Sequence, residues 1–534
     1  TPIEQSIDSI FSNYQGKPGC AVAIVKDGKT LFKKGYGLAN LSYSIPVDTS
    51  TVFNTASNAM QFTAACIFLL EQRGKLKLDD PIQNYLPDFP TYGTTPITIR
   101  HLLYHTSGLR SFYATLYAKN KYWGNSYDNV DAVKMLTRHK DLNFKPGTRH
   151  YFSGSNYILL ANIIEKVSGQ PLDAFAQQNL FGPLGMTSTF FRTNRDTIIK
   201  NQAIGYEAID NHFIQNHYHD NTVLGDGGLY MNLEDFIKWN HNLSTGTVGG
   251  KVLQKKMLTS AILSNGQKIE CSGGLFIIDH NFIDSLPVAV HYGNWGGFQT
   301  LYYKFLEQDV AFIIMSNNAS TNMRGLRSQM IPLFLGDKIA SAQETMTDDT
   351  PPALAMTLAE KARFCGKYYS TLNGYLREIA LEGDQLMYIR PGASATPLMA
   401  ISPNELVYEA MPAIKFTFDP DTYGSMVSTV NNLSPMPYTK YKEHSYSPSE
   451  LKQFENQYHN QDIDGVYELI VRGDELQILV EGEEIFRIKA IAKDLFASDH
   501  NGYLTFKRDE KGNITGFIQY DDHLYGLAFN LYSS

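Results

Sequence analysis

Phe53-Asn54-Thr55-Ala56-Ser57-Asn58-Ala59-Met60-Gln61-Phe62-Thr63-Ala64 is the stretch on which the reading of the first 340 residues turns. Helical patterning starts near Ser57 and runs to Gly74, a residue suited to stopping a helix because it accepts left-handed backbone. A hydroxyl at a helix start sits where unpaired N–H groups and the helix dipole favour developing negative charge. Upstream, Cys20–Val25 reads as a buried strand, Lys26-Asp27-Gly28-Lys29 as a hairpin turn and Thr30–Tyr36 as the return strand. Downstream, an amphipathic helix is expected over Asn156–Val167, ended by Ser168-Gly169-Gln170-Pro171. Strand signals return at Leu275–Ile278, Leu301–Phe305 and Val310–Met315, and Met330–Leu335 belongs to a closing helix. Terminal strands around a mostly helical middle predict an α+β domain whose sheet is built from both ends of the segment.

The chain has 534 residues, too many for one core, so several domains are expected. With 43% hydrophobic and 19% charged residues it reads as globular, neither disordered nor fibrous. Lys+Arg 46 against Asp+Glu 54 gives a net charge of −8, and no basic stripe stands out, which argues against nucleic acid as a partner. The most apolar run, Ala64–Leu70, is far short of the roughly 18 residues a bilayer helix needs, so no transmembrane segment is expected. The sequence opens on Thr1-Pro2-Ile3-Glu4 without a visible export signal, and a processed one would look the same. Cys20, Cys66, Cys271 and Cys365 are scattered and lack CxxC spacing, which reads as buried free thiols. Neither a metal nor a cofactor is expected.

Beyond residue 340 the character changes. The polar, aperiodic stretch from Ala340 to Pro352 reads as a linker. An internal repeat follows, in which Phe364, Tyr368, Glu378, Gly383-Asp384, Leu386 and Phe416 recur 90 positions on as Phe454, Tyr458, Glu468, Gly473-Asp474, Leu476 and Phe506. Both copies alternate apolar and polar residues between Gly-Asp turns, which predicts two small antiparallel β-barrels of a lipocalin-like kind. The expected organisation is a domain over 1–340, a linker over 341–353, and barrels over 354–445 and 446–534.

Four more stretches join the Ser57 segment in order and spacing over roughly residues 1–335. They are Gly74-Lys75-Leu76-Lys77-Leu78-Asp79-Asp80-Pro81, Ile97–Leu109 with its His105-Thr106-Ser107-Gly108, Phe181-Gly182-Pro183-Leu184-Gly185-Met186 and Gly225-Asp226-Gly227-Gly228-Leu229-Tyr230. Together they resemble the serine β-lactamase and penicillin-binding protein superfamily, close to its class C, DD-peptidase and D-aminopeptidase-like branch. The resemblance implies Ser57 as nucleophile and a Ser-x-x-Lys motif, whose lysine shares a helix face with the serine and takes its proton. It implies a Tyr-x-Asn element and a Lys-Thr-Gly or His-x-Gly strand as well. It also implies an extracytoplasmic bacterial protein, and accessory barrels of which a loop can enter the cleft in D-aminopeptidase-like relatives.

This sequence departs from that pattern where activation is at stake. The lysine position holds Met60, a thioether that cannot act as a base. Counting back from Tyr157, the tyrosine and asparagine positions hold Phe152 and Gly154. Tyr151 is adjacent, but neighbouring side chains in extended backbone point oppositely, so it replaces Phe152 only if the loop shifts register. The third element survives as His291-Tyr292-Gly293, followed by Asn294. The resemblance implies an oxyanion hole from the backbone N–H groups of Ser57 and Asn294. Gly293 lets a substrate lie close to the strand, and Tyr151, Phe152 and Gly154 are further candidate substrate contacts. His291 is a candidate base or substrate-carboxylate contact.

Losing an activating partner in serine triads lowers rates by on the order of 10⁴–10⁶. The expected function is therefore a hydrolase homologue without the usual activity, binding a peptide or cell-wall-derived ligand. The alternative is a peptidase, amidase or esterase in which His291 or Tyr151 serves as an unusual base, and a purely structural role is the third reading.

Overall fold

The computed structural model describes residues 2–122, 125–210, 212–216, 222–279, 286–345, 352–430, 433–500, 502–521 and 523–532. They form two compact units. The first comprises Thr1–Leu109, Trp123–Lys140 and Phe144–Thr347, and the second Arg110–Tyr122, Asp141–Asn143 and Asp348–Ser534.

The first unit is built on an antiparallel six-stranded sheet. Its elements are helix α1 (Pro2–Ile10), strands β1 (Cys20–Lys26) and β2 (Lys29–Tyr36), helices α2 (Met60–Gln72) and α3 (Gly154–Ser168), strands β3 (Phe276–Ile278), β4 (Val288–Trp295), β5 (Phe298–Phe305) and β6 (Val310–Ser316), and helix α4 (Met323–Thr345). The strand order is β3-β4-β5-β6-β1-β2, so the sheet does join both ends of the segment. The β1–β2 hairpin turns on Asp27 and Gly28, both with positive φ (48° and 71°), the geometry an Asp-Gly pair supplies.

Alternation along the strands splits the core. Val22, Ile24, Leu301, Tyr303 and Ile314 meet Ile7 of α1 and Phe11 just past its end, with Met330 and Ile331 of α4. The opposite face carries Tyr302, whose ring stacks on Phe236 of the helix Leu233–Thr245. Helix α3 ends on Gly169, whose φ of 71° and N–H bond back to Glu165 close it.

Two elements differ in extent from the sequence reading. Helix α4 runs well beyond Met330–Leu335 on both sides and enters the stretch read as linker. Residues such as Lys338, Ala340, Gln343 and Glu344 are adequate helix formers, but a polar continuation carries no apolar stripe to reveal it. Residues 346–351 of that linker lie outside the described residues. The Ser57 segment begins as a 3₁₀ turn (Ala56–Ala59), which hands over to α2 at Met60.

In the second unit two eight-stranded antiparallel barrels close on themselves, the first from Gly366–Ser370 to Leu433–Tyr441 and the second from Asn456–Asn460 to Leu527–Leu531. The repeat is physical as well as textual. Tyr368 donates to the Phe364 carbonyl at 2.7 Å, and Tyr458 donates to the Phe454 carbonyl at 2.9 Å. The helices ahead of the barrels start with matched capping boxes, Thr357 with Glu360 and Ser447 with Glu450, a pair of signals also 90 residues apart.

Residues 110–122 belong to this unit although they lie far upstream. Arg110 is buried in an ion pair with Asp462 at 2.8 Å and also donates to the Tyr525 carbonyl. Ala118 sits in the second barrel's core. The sequence reading kept these residues with the first domain, because no local pattern marks a helix whose apolar partner lies more than three hundred residues away.

Candidate active site

Ser57 is held by a turn under strain. Ala56 has φ of +48°, an uncommon conformation for a residue with a Cβ. Its N–H bonds the Asn54 side-chain oxygen at 2.8 Å, and Thr55 donates from its backbone N–H to the Leu229 carbonyl at 2.9 Å. Beneath the turn runs a buried relay of hydrogen bonds. Trp239 Nε1 donates to Gln61 Oε1 (2.9 Å), Gln61 Nε2 to Asn58 Oδ1 (2.8 Å), Asn58 Nδ2 to Thr300 Oγ1 (2.7 Å), and Thr300 Oγ1 to the Thr55 carbonyl (2.7 Å). Every donor and acceptor in that chain is satisfied, so the relay rigidifies the turn and ties it to β5. Ser57 itself remains half-buried, beside the start of α2.

Strand β4 presses on this turn. A Cβ at Gly293 would stand 2.5 Å from the Thr55 carbonyl oxygen, 3.0 Å from the Ala56 Cβ, and against the Thr300 hydroxyl. Only glycine permits that approach, and it brings the backbone of Asn294 next to the nucleophile turn. Gly293→Ala is therefore expected to lower stability by about 1–3 kcal/mol through forced displacement of the turn. A thermal-unfolding midpoint equal to that of the parent protein would contradict this.

His291, two residues earlier on the same face, is 2% exposed. Its Nδ1 lies 2.8 Å from the Tyr292 carbonyl oxygen, and since a carbonyl only accepts, Nδ1 carries the proton. Nε2 is left as an acceptor, and among the described residues no hydrogen bond engages it. Burial lowers the His291 pKa to about 4, partly offset by the Tyr292 hydrogen bond, so the ring is neutral at physiological pH.

The other wall comes from the start of α3 and from the segment around His105. The Phe152 ring lies 4.7 Å from the His105 ring and 6.2 Å from the His291 ring. Phe276 on β3 completes the contact, 5.6 Å from His291 and 6.1 Å from His150. His105 has φ of +52° and is fully enclosed. Its Nδ1 accepts the Ser153 N–H at 3.2 Å and faces the Asn156 amide at 3.2 Å. Burial, then the nearby His150 and His291, push the His105 pKa well below the ordinary value, and burial with the Arg149 charge brings His150 to about 4. Two neutral imidazoles, His105 and His291, thus flank Phe152, and His150 lies 6.1 Å from the His105 ring.

Gly293 abuts the turn at Thr55 and Ala56 that carries Ser57, the Phe152 ring lies beside His291 on the same strand as Gly293, and Asn294 is exposed just beyond. Gly154 opens α3 and offers no side chain. The Tyr151 ring lies under the Arg149 guanidinium at 5.5 Å, while the Phe152 ring is the one packed on His291. Met60 is 1% exposed, enclosed in the core. His105 and His150 were missed as members of the site. The available signal was the His105-Thr106-Ser107-Gly108 motif itself, but a contact between residues 105 and 291 has no local trace.

Among the described residues no group of three or more His, Cys, Asp or Glu side chains is placed to hold a metal ion. Cys20, Cys66 and Cys271 are buried free thiols, and Cys365 is a half-buried one. Among the described residues no helix is long and apolar enough to cross a membrane.

A serine on a strained turn at a helix start, faced by a histidine-glycine strand one in from the edge of an antiparallel sheet, defines an α+β domain of the serine-hydrolase type. The chain belongs to the Beta-lactamase family, whose model matches residues 7–330, and with it to the serine β-lactamase and penicillin-binding protein superfamily. It is 25% identical over 435 residues to penicillin-binding protein 4* of Bacillus subtilis (strain 168), covering 76% of this chain and 91% of that one. It is 24% identical over 361 residues to a D-aminopeptidase of Gluconobacter oxydans (strain 621H), 67% of this chain and 66% of the other. In fold it is similar to the octameric penicillin-binding protein homologue from Pyrococcus abyssi, with a TM-score of 0.56 and 19% identity over 90% of this chain and 98% of that one.

Proposed function

We propose that this family member lacks the usual acyl-transfer activity and uses the cleft beside Ser57 and His291 to bind a peptide, one derived from the bacterial cell wall, outside the cytoplasm. The supporting observation is that the two positions from which relatives supply an amine and a phenol hold the enclosed thioether of Met60 and the Phe152 ring. Neither accepts a proton from Ser57. The similarity to a D-aminopeptidase and to penicillin-binding proteins supports a ligand with a D-amino acid.

A second reading draws on one specific feature. His291 is neutral and presents Nε2 as an acceptor, which suits a general base better than a carboxylate contact, since a neutral ring with its proton committed to Tyr292 supplies no donor. A fluorophosphonate probe separates the two readings. Mass analysis of the Ser57 peptide should find no adduct above that of a Ser57→Ala variant, while calorimetry should detect saturable binding of an acetylated peptide ending in D-alanyl-D-alanine. Labelling of Ser57 that His291→Gln abolishes would overturn the first reading in favour of the second.

A further inference from the structure

The two barrels are copies of one module, yet they differ at the same end. In the first barrel the strand Leu376–Glu382 turns Arg377 inward beside Tyr368, its cross-strand partner, on the face that also carries Ile379. Arg377 Nε donates to the Tyr388 hydroxyl at 2.7 Å, and its guanidinium lies 5.1 Å over the Tyr375 ring and 6.0 Å from the Tyr438 ring. Arg390 stands one residue past the strand Gln385–Ile389, two on from Tyr388, and is exposed. The charges of both arginines bear on the Tyr408 hydroxyl. Tyr408 itself packs 5.5 Å from Tyr388 and 5.6 Å from Phe416. Among the described residues neither guanidinium is paired with a carboxylate.

The far end of this barrel is closed by its leading helix, where Phe364 packs on Phe418 and Tyr423 at 4.9 and 5.2 Å. The core between the ends is drawn from residues 356–438 alone among the described residues.

Ninety positions on, Arg377, Tyr388 and Arg390 become Tyr467, Ile478 and Val480, all buried in the second barrel's core. That end is covered by the segment from Arg110 to Tyr122. Ala118 enters the core with Ala114 beside it, Tyr117 donates to the Ile485 carbonyl at 3.1 Å, and Lys121 pairs with Glu481 at 2.5 Å. One copy therefore has an apolar mouth with a protein segment in it. The other has two cations and a ring of tyrosines, with no comparable segment in its core among the described residues. Guanidinium groups without a carboxylate partner, one of them held by the Tyr388 hydroxyl and the Leu376 carbonyl, are the chemistry that recognises an oxyanion, and the rings around them suit a flat apolar body.

We propose that the mouth of the first barrel binds a small organic oxyanion with a flat apolar body, held by Arg377 and Arg390 among Tyr388, Tyr408 and Tyr438. The site is independent of whether Ser57 reacts. Titrating the full-length protein with 8-anilinonaphthalene-1-sulfonate, a fluorescent aromatic sulfonate, should show one saturable site per chain. The double variant Arg377→Gln with Arg390→Gln should weaken it at least about tenfold, as expected for losing charge-assisted contacts. Should Arg377→Gln disturb the barrel, Arg390→Gln carries the test alone, because its side chain is exposed, and it should weaken binding measurably at an unchanged unfolding midpoint. Benzoate and phenyl phosphate should displace the probe, the stronger competitor naming the oxyanion, and benzyl alcohol should not. Unchanged affinity in a folded Arg390→Gln protein, displacement by neither anion, or equal displacement by the neutral alcohol would overturn the proposal.

Discussion

Replacing Met60 by lysine together with Phe152 by tyrosine should raise hydrolysis of D-alanine p-nitroanilide or nitrocefin by on the order of 10²–10⁴ over the parent protein, the range that positioned acid–base groups supply. The turn needs no remodelling for this. Ala56 already holds its strained φ, the Trp239–Gln61–Asn58–Thr300 relay already anchors the turn, and Gly293 already brings β4 against it. On the proposed reading, what the parent lacks is an amine at position 60 and a phenol at position 152 to take the Ser57 proton. Position 60 is enclosed, so burial draws a lysine amine down from its ordinary pKa and leaves a larger neutral fraction to accept the Ser57 proton. Position 152 already directs its ring at His291, and a para-hydroxyl on it extends toward the same cleft. The buried amine costs about 1–3 kcal/mol if it finds no partner, which a modest drop in unfolding midpoint would record. Adding Ser57→Ala to the double variant must abolish the gain. A folded double variant with turnover no higher than the Ser57→Ala background would show that the cleft lacks more than its base.

How far the chain could be read without coordinates depended on the reach of each interaction. The Asp27-Gly28 hairpin, the body of the helix after Ser57 and the repeat linking Phe364 to Phe454 announce themselves through local period and turn chemistry, and each is present in the fold. The 3₁₀ start of the Ser57 helix was not legible, because it follows from Gly293 and Thr300 pressing on the turn from residues more than two hundred positions away. The same holds for the imidazoles of His105 and His291 that flank Phe152, which come from two distant segments. Arg110–Tyr122 reads as part of its sequence neighbourhood, yet the side chains that bury it belong to the second barrel. Arg377 against Tyr467 was visible in the repeat all along, but a difference between copies gains meaning only once both are seen to face inward at the same barrel end.

Between pH 7.5 and 5 the first unit should lose stability steeply, and His291 should account for about one proton of the slope. Its pKa stands at about 4 in the folded protein through burial, against about 6.5 in an unfolded chain. The unfolded state therefore binds the extra proton between those values, and stability rises with pH through that window. The contribution is complete above about 6.5, declines as pH falls and levels off below about 4. For His291 alone it amounts to about 2 kcal/mol by pH 5 and about 3 kcal/mol in full. His150 is displaced the same way, to about 4, and burial with the other two rings holds His105 well below its ordinary value. Because the charges of His150 and His291 both bear on His105, protonating either makes the next protonation harder, and the three titrate as a coupled set. The measurement is clean for two reasons. Carboxylates with ordinary pKa values remain largely ionised down to about pH 5. Trp239 and Trp295 lie in the first unit, so their fluorescence during urea unfolding of a Trp123→Phe protein reports that unit. His291→Gln should flatten the dependence by about 1.4 kcal/mol per pH unit across the middle of the window. An unaltered slope in that variant would mean that the imidazole is solvated and titrates freely, and the enclosed neutral base on which the second catalytic reading depends would go with it.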